Sequence, residues 1–191
     1  MKLLLENWRK YLTEAAATIA DLPDGVKIKI QRTSENYYSV KYVDNAGNDI
    51  WEEDTDGNNI PHGVVTITKH SDSGECGDAW QVQGSGARKG WGPLLYDIAI
   101  EVATLNGGGL IADRREVSPD AKKVWNYYST NRNDVKAHQL DDLDNTLTPP
   151  NDDNCNQDIV GKDFKNSPLS KRYTKPPTII NQLNKLGKII Q

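Results

Sequence analysis

A chain of 191 residues is long enough for one domain with a complete hydrophobic core and additional segments. Its mean hydropathy of −0.71, and the lack of any apolar run near the ~20 residues of a membrane span, exclude a membrane-embedded protein. The formal net charge of −4 argues against nucleic-acid binding, because such binding needs a strongly basic surface.

The first fourteen residues predict a short amphipathic helix, because their large apolar side chains fall on one face. The composition then changes at three consecutive alanines and reaches a turn signal, Pro23-Asp24-Gly25. We therefore predict three parts: an N-terminal helix and linker at 1–22, a folded domain at 23–145, and an irregular C-terminal extension ending in a short helix at 146–191.

Apolar and polar residues alternate with a period of two in four segments, which is typical of half-buried strands. These segments are 26–31, 37–43, 63–70 and 79–85. The turns between them are short and polar, so antiparallel pairing is the natural arrangement.

An apolar stripe with a period of 3.6 predicts a helix from Pro93 to about Leu105, ended by three glycines at 107–109. Residues 109–113 then predict a short buried strand. Ser118 is the expected N-cap of a second helix, with Pro119 in its first turn. This order implies parallel pairing of the fourth and fifth strands through a right-handed crossover.

Gly90 and Gly92 flank Trp91 directly before the first of these helices. A glycine-lined helix N-terminus exposes backbone N–H groups and carries the positive end of the helix dipole, so it favours an anion such as phosphate. A tight turn that only packs the helix onto a strand is the alternative.

Metal sites have little support in the sequence. The stretch 54–58 begins like a calcium loop, but Asn59 and Val65 occupy the positions that need glycine and a bidentate glutamate, which predicts a polar turn. The histidines have no metal-ligand spacing; they are His62, His70 and His138. Cys76 and Cys155 lie in no motif, and we expect reduced thiols.

The order of strands, glycine turn and helices over about residues 60–141 resembles the core of the GNAT acetyltransferase superfamily. In that family the turn after the fourth strand reads Gln/Arg-x-x-Gly-x-Gly/Ala and holds the pyrophosphate of acetyl-CoA. Gly90-Trp91-Gly92 matches the Gly-x-Gly, whereas Ala87 stands at the Gln/Arg position and Arg88 follows one place later. The run "KGWGPLLYDIAIE … ADRREVSPDAKKVWNYY" is similar to a subgroup encoded by tailed bacteriophages.

The resemblance implies an α/β (α+β) fold, with a mixed, largely antiparallel sheet flanked by helices, and an N-acyltransferase that uses acetyl-CoA. The coenzyme-binding residues it implies are Gln83, Gly84, Arg88, Lys89, Gly90, Trp91 and Gly92. In that family a tyrosine of the second helix often protonates the departing thiolate. Its usual position is occupied here by Trp125, so Tyr127 or Tyr128 would be the general acid. Asp78, or a water that it holds, is the candidate base. The acyl acceptor would be an amine of a protein or a small molecule, and no metal is implied.

A non-catalytic virion or interaction protein that keeps the same scaffold is the alternative function. The alanine at position 87 and the displaced tyrosine favour this alternative, whereas Gly90, Gly92 and Pro93 at a helix start favour the enzyme.

The segment Leu12-Thr13-Glu14, followed by Ala15, resembles the cleavage pattern of the prohead proteases of T-even-like phages. In those phages a short N-terminal helix directs internal proteins into the capsid and is then removed. The resemblance implies capsid or scaffold proteins as partners, and a location in the host cytoplasm or in the virion interior.

Overall fold

The computed structural model describes residues 18–190, apart from 54–58, 70–75, 89, 143, 145, 149–153 and 159. The predicted N-terminal helix, the cleavage site after Glu14, the 54–58 turn, His70 and Lys89 therefore lie outside the described residues.

Strands and helices share the regular structure of the described residues. The strands are β1 (Lys27–Ser34), β2 (Tyr37–Val43), β3 (Trp51–Glu53), β4 (Asn59–Pro61), β5 (Gly63–Lys69), β6 (Trp80–Ala87), β7 (Leu110–Ile111), β8 (Lys136–Gln139), β9 (Lys171–Thr174) and β10 (Ile189–Ile190). The α-helices are α1 (Gly92–Asn106), α2 (Pro119–Asn131) and α3 (Thr178–Lys185). Short 3-10 helices lie at Ile19–Asp21, Gly161–Asn166 and Pro168–Ser170.

Eight strands form one sheet in the order β10-β1-β2-β5-β6-β7-β9-β8, and β3 pairs with β4 separately. The pairs β1–β10 and β6–β7 are parallel, and the others are antiparallel. The predicted α+β class, with a mixed and largely antiparallel sheet beside helices, is confirmed. The segment predicted as a C-terminal extension supplies β9, α3 and β10 to this arrangement.

Helix α1 lies in the middle of the core. Its residues 94–103 are all buried, and it packs against β2, β5, β6, β7, β9 and α3. Burial on every side explains why its apolar residues do not form a single narrow stripe. The predicted bounds are confirmed to within one residue at each end.

The glycines after α1 end the helix as predicted, but the reason is close packing. Gly107 is the C-cap, with an extended φ of 174°. At Gly108 an added Cβ would lie 1.8 Å from the carbonyl oxygen of Gly77, so only glycine fits there. Gly108 N–H also donates to the carbonyl of Asp78, which fixes this loop against the start of β6.

The expectation of two reduced thiols is wrong. Cys76 and Cys155 form a disulfide between residues 79 positions apart, and both are buried. They pack with a second apolar cluster, which also contains Ala79, Ile111, Leu140 and Phe164. Because Ile111 alternates with Leu110 and Ala112 of the main core, this cluster lies on the sheet face opposite α1.

Arg114, just after β7, anchors the same C-terminal segment. Its guanidinium donates to the carbonyl oxygens of Cys155, Asn156 and Leu169 at 2.9, 3.0 and 2.7 Å. Burial lowers the pKa of Arg114 to about 10, so the group keeps its charge at neutral pH. The disulfide and this arginine together hold the segment over one face of the sheet.

No helix of the described residues combines the length and the apolar character that crossing a bilayer requires.

Candidate functional site

The two parallel strands in the middle of the sheet separate soon after they meet. β6 pairs with β7 only at Trp80–Leu110 and Gln81–Ile111, and then continues to Ala87 beside β5 alone. At the point of separation, Gln81 Nε2 donates to Asp113 Oδ2 at 3.1 Å. We call the space beside residues 82–87, between β6 and residues 112–113, the wedge.

A β-bulge shapes the β6 side of the wedge. Thr66 pairs with Gly84 and Ile67 with Val82, so Gln83 is the extra residue. The bulge reverses the alternation beyond it and turns Ser85, instead of Gly84, toward α1. There Ser85 Oγ lies 2.8 Å from the hydroxyl oxygen of Tyr96. Residues 83–88 are exposed, so this half of the strand is open to a ligand.

The glycine turn, residues 88–92, lies at the open end of the wedge. Arg88 N–H donates to the His62 carbonyl, and Trp91 N–H donates to the Arg88 carbonyl, both at 3.0 Å. Gly90 has a φ of 88°, a left-handed conformation that favours glycine. The turn therefore has a defined shape that depends on Gly90.

Aromatic packing supports the same turn from the sheet side. The Trp91 ring lies 5.3 Å from Tyr42 and 5.0 Å from His62, measured between ring centroids. The Tyr42 hydroxyl donates to the Trp91 carbonyl at 2.7 Å, and burial raises the pKa of Tyr42. No acidic side chain lies in the first turn of α1, so the positive end of its dipole is uncompensated there.

Tyr128 is enclosed by its neighbours. Its hydroxyl lies 2.9 Å from Asp97 Oδ1 and 3.2 Å from the Pro93 carbonyl oxygen, and the side chain is 1% exposed. Burial, followed by the nearby Asp97 charge, raises the pKa of Tyr128 well above its usual range. Burial also raises the pKa of Asp97. The ion pair with Arg132, at 2.9 Å, acts in the opposite direction and lowers this pKa.

Tyr127 is partly buried, with its ring 5.7 Å from that of Tyr128 and 5.9 Å from the Arg132 guanidinium. Trp125 is a core residue between Tyr96 and Tyr173.

Asp78 lies at the other end of β6, before Trp80, and not beside the glycine turn. Eight residues at ~3.3 Å each separate the two ends of the strand by roughly 25 Å. Its carboxylate forms an ion pair with Lys69 at 2.6 Å. The structure thus brings together Gln83, Gly84, Arg88, Gly90, Trp91 and Gly92 at the wedge, but not Asp78.

Sequence reasoning missed three parts of the site. The separation of β6 from β7, the bulge at Gln83 and the Ser85–Tyr96 contact carry no local pattern. The only available signal was Tyr96 itself, a hydroxyl-bearing residue in the first turns of a helix that is otherwise predicted to be buried.

A separate surface cavity of about 600 Å³ lies near the C-terminal end of α1, lined by Thr104, Asn133, Asp134, Val135, Lys136, Thr174, Lys175 and Pro176. None of these residues belongs to the wedge. Within the part of the chain that the structure describes, no three potential metal-ligating side chains form a group.

Comparison with known proteins assigns no family to the chain. No protein-family model, no curated protein and no solved structure matches it significantly.

Proposed function

We propose that this chain is an acyl-CoA-dependent N-acyltransferase of the GNAT-like kind. The observation that carries the proposal is the wedge: a strand that leaves its parallel neighbour and leads to a glycine turn at a helix N-terminus. A bulge interrupts the strand at the point of separation, and bulges are frequent beside active sites.

Each part of the wedge suits one part of a coenzyme thioester. Backbone N–H groups of the glycine turn, with the dipole of α1, would hold the pyrophosphate. The thioester arm would lie along the exposed edge of β6, where an N–H group near Gln83 or Gly84 would polarise the acyl carbonyl. An amine would then attack the carbonyl carbon directly, the C–N bond forming as the C–S bond breaks.

The Gly90→Val variant tests the coenzyme site. A β-branched residue is strained at a φ of 88°, so the turn should lose its shape and acetyl-CoA should bind at least tenfold more weakly. Calorimetric titration with acetyl-CoA measures this loss. Gly25→Val is the matched control, because Gly25 has the same φ of 88° in the turn before β1. Equal affinity of the Gly90→Val and Gly25→Val proteins would contradict the assignment.

A non-catalytic virion or interaction protein is the second candidate. The burial of Trp125 and the enclosure of the Tyr128 hydroxyl favour it, because neither side chain is available to a ligand. A ligand that binds only the native state raises the melting temperature. If millimolar acetyl-CoA gives the wild-type protein neither a thermal shift nor heat of binding, the scaffold function replaces the enzyme.

We also propose that the protein is made in the host cytoplasm and packaged in a phage particle through residues 1–14. The helix predicted for residues 1–12 would be marginal alone in water, where ~12–15 residues are needed even for good helix formers, so its apolar face would need a partner. Mass spectrometry of purified virions should find a protein that begins at Ala15, and Glu14→Gln should suppress the cleavage. An intact N-terminus in virions would remove the processing proposal and leave the enzyme proposal unaffected.

A further inference from the structure

Resting on the proposed acyl transfer, we infer that Ser85 donates the proton to the departing thiolate and that Tyr96 is the positioning residue that resupplies it. The observation behind this inference is the contact of 2.8 Å between Ser85 Oγ and the Tyr96 hydroxyl, on the open half of β6.

Ser85 stands at the right distance along the strand. It follows the N–H groups proposed to polarise the acyl carbonyl, near Gln83 and Gly84, by one or two residues. In a thioester the sulfur is bonded directly to the carbonyl carbon, so the leaving atom lies close to the same stretch of strand. Because the bulge turns Ser85 toward α1, its hydroxyl lies on the helix-facing side of the wedge.

Tyr96 is buried behind this serine. Its side chain is 4% exposed, and its ring packs edge-on against Trp125 at a centroid distance of 5.9 Å. Burial raises the pKa of Tyr96, so the phenol is protonated at neutral pH. Either hydroxyl can donate in this contact; in the arrangement that serves proton transfer, Tyr96 donates to Ser85 Oγ and leaves the Ser85 hydrogen free to point into the wedge.

The other candidate tyrosines are less suited to this role. The Tyr128 hydroxyl faces two acceptors, Asp97 Oδ1 and the Pro93 carbonyl, which occupy its surroundings. The Arg132 guanidinium lies over the face of the Tyr127 ring. Neither contact involves a residue of the open half of β6.

The proton transfers balance without a further reactant. The amine nitrogen forms the C–N bond, and the electron pair of the broken C–S bond goes to sulfur. Sulfur takes the Ser85 proton, and the Ser85 oxygen takes the Tyr96 proton. The proton that the attacking nitrogen sheds goes to water, and water reprotonates Tyr96, so the products are an amide and a thiol.

Tyr96→Phe and Ser85→Ala test the pair. Thiol release from acetyl-CoA with a panel of primary amines should fall ~10²-fold in each variant, while the Kd for acetyl-CoA changes less than twofold. Tyr38→Phe is the control, because it removes another buried tyrosine hydroxyl. The Tyr38 hydroxyl donates to Asn106 Oδ1 at a distance of 3.0 Å, and neither residue belongs to the wedge. The Tyr38→Phe protein should keep wild-type turnover.

The pH dependence of CoA affinity is a second test of the pair, and it needs no amine substrate. A merely structural role of Ser85 and Tyr96 would leave this pH dependence unchanged. A hydroxyl donor at the sulfur stabilises bound thiolate, so wild-type protein should bind CoA at least threefold more tightly at pH 9.5 than at pH 7. Desulfo-CoA should show no such gain. Tyr96→Phe and Ser85→Ala should lose it, and Tyr38→Phe should retain it.

The outcomes separate the two proposals. If the variants bind coenzyme and behave as wild type in turnover or in the pH dependence of CoA affinity, the proton-donating pair is overturned and the acyltransferase stands. The same holds if Tyr128→Phe loses turnover and Tyr96→Phe does not. If folded wild-type protein binds neither acetyl-CoA nor CoA, the acyltransferase fails and the pair fails with it.

Discussion

The Glu101→Leu variant is expected to lose about 3–5 kcal/mol of unfolding free energy, the usual cost of removing one partner of a buried ion pair. Glu101 on α1 is 0% exposed, and its Oε1 lies 2.5 Å from the Nζ of Lys175, which is 1% exposed. The same carboxylate accepts the N–H groups of Ile179 and Ile180 at 2.9 and 2.8 Å, in the first turn of α3. The substitution removes the carboxylate from two helix donors and from a buried ammonium group, which keeps only Thr178 Oγ1 at 3.2 Å and the more distant Asp134 Oδ2 at 3.9 Å.

Urea unfolding of the single variant measures the loss, and a double variant isolates its cause. Adding Lys175→Met should recover much of the stability, because replacing both charges by apolar groups removes the buried ammonium that has lost its main partner. The Asp120→Ala variant breaks the exposed ion pair with Lys123 and should change stability little. A Glu101→Leu protein within ~1 kcal/mol of wild type would contradict the role of this pair in stability.

Reduction of the Cys76–Cys155 disulfide is expected to lower the unfolding free energy by about 4 kcal/mol. The bond closes a loop of 79 residues, and loop-closure entropy lost from the unfolded chain scales with the logarithm of that length. Removing the bond also removes a constraint on the backbone of Cys76, whose φ of 56° is in the left-handed region. Unfolding curves of the oxidised and reduced protein measure the difference.

The Cys76→Ala, Cys155→Ala protein is the control for reduction. Its unfolding free energy should equal that of the reduced wild-type protein, and a reducing agent should not change that free energy. Alkylation of both thiols in native protein purified under oxidising conditions would contradict the disulfide. Disulfides persist in oxidising surroundings and are rare in a cytosol, so protein kept in an oxidising buffer should hold the bond and protein taken from a reducing cytosol should not.

Local patterns predicted much of the fold. The bounds of α1, Ser118 as the N-cap of α2 and the period-two segments of β1, β2, β5 and β6 are confirmed to within a few residues. These patterns are readable because helices and strands place neighbouring side chains on fixed faces. The short strands β7 to β10 have two to four residues each, and of these only β7 was predicted. The others form because they pair with distant strands.

The candidate site was predicted in part. The glycine turn before α1 was found from Gly90, Gly92 and Pro93, because backbone freedom and a helix start are local properties. The distance of Asp78 from that turn and the enclosure of Tyr128 could not be predicted from the sequence, since both depend on which residues the sheet and α1 bring together.

The sequence by itself determined the identity of the main elements and the turn that joins β6 to α1. Only the tertiary structure decided where β6 leaves β7, which face Ser85 occupies after the bulge, and that Cys76 meets Cys155. The physical reason is range. Propensity, capping and periodicity act over a few residues along the chain. Strand register, burial of Glu101 against Lys175 and side-chain contacts depend instead on packing between segments as far as 166 positions apart.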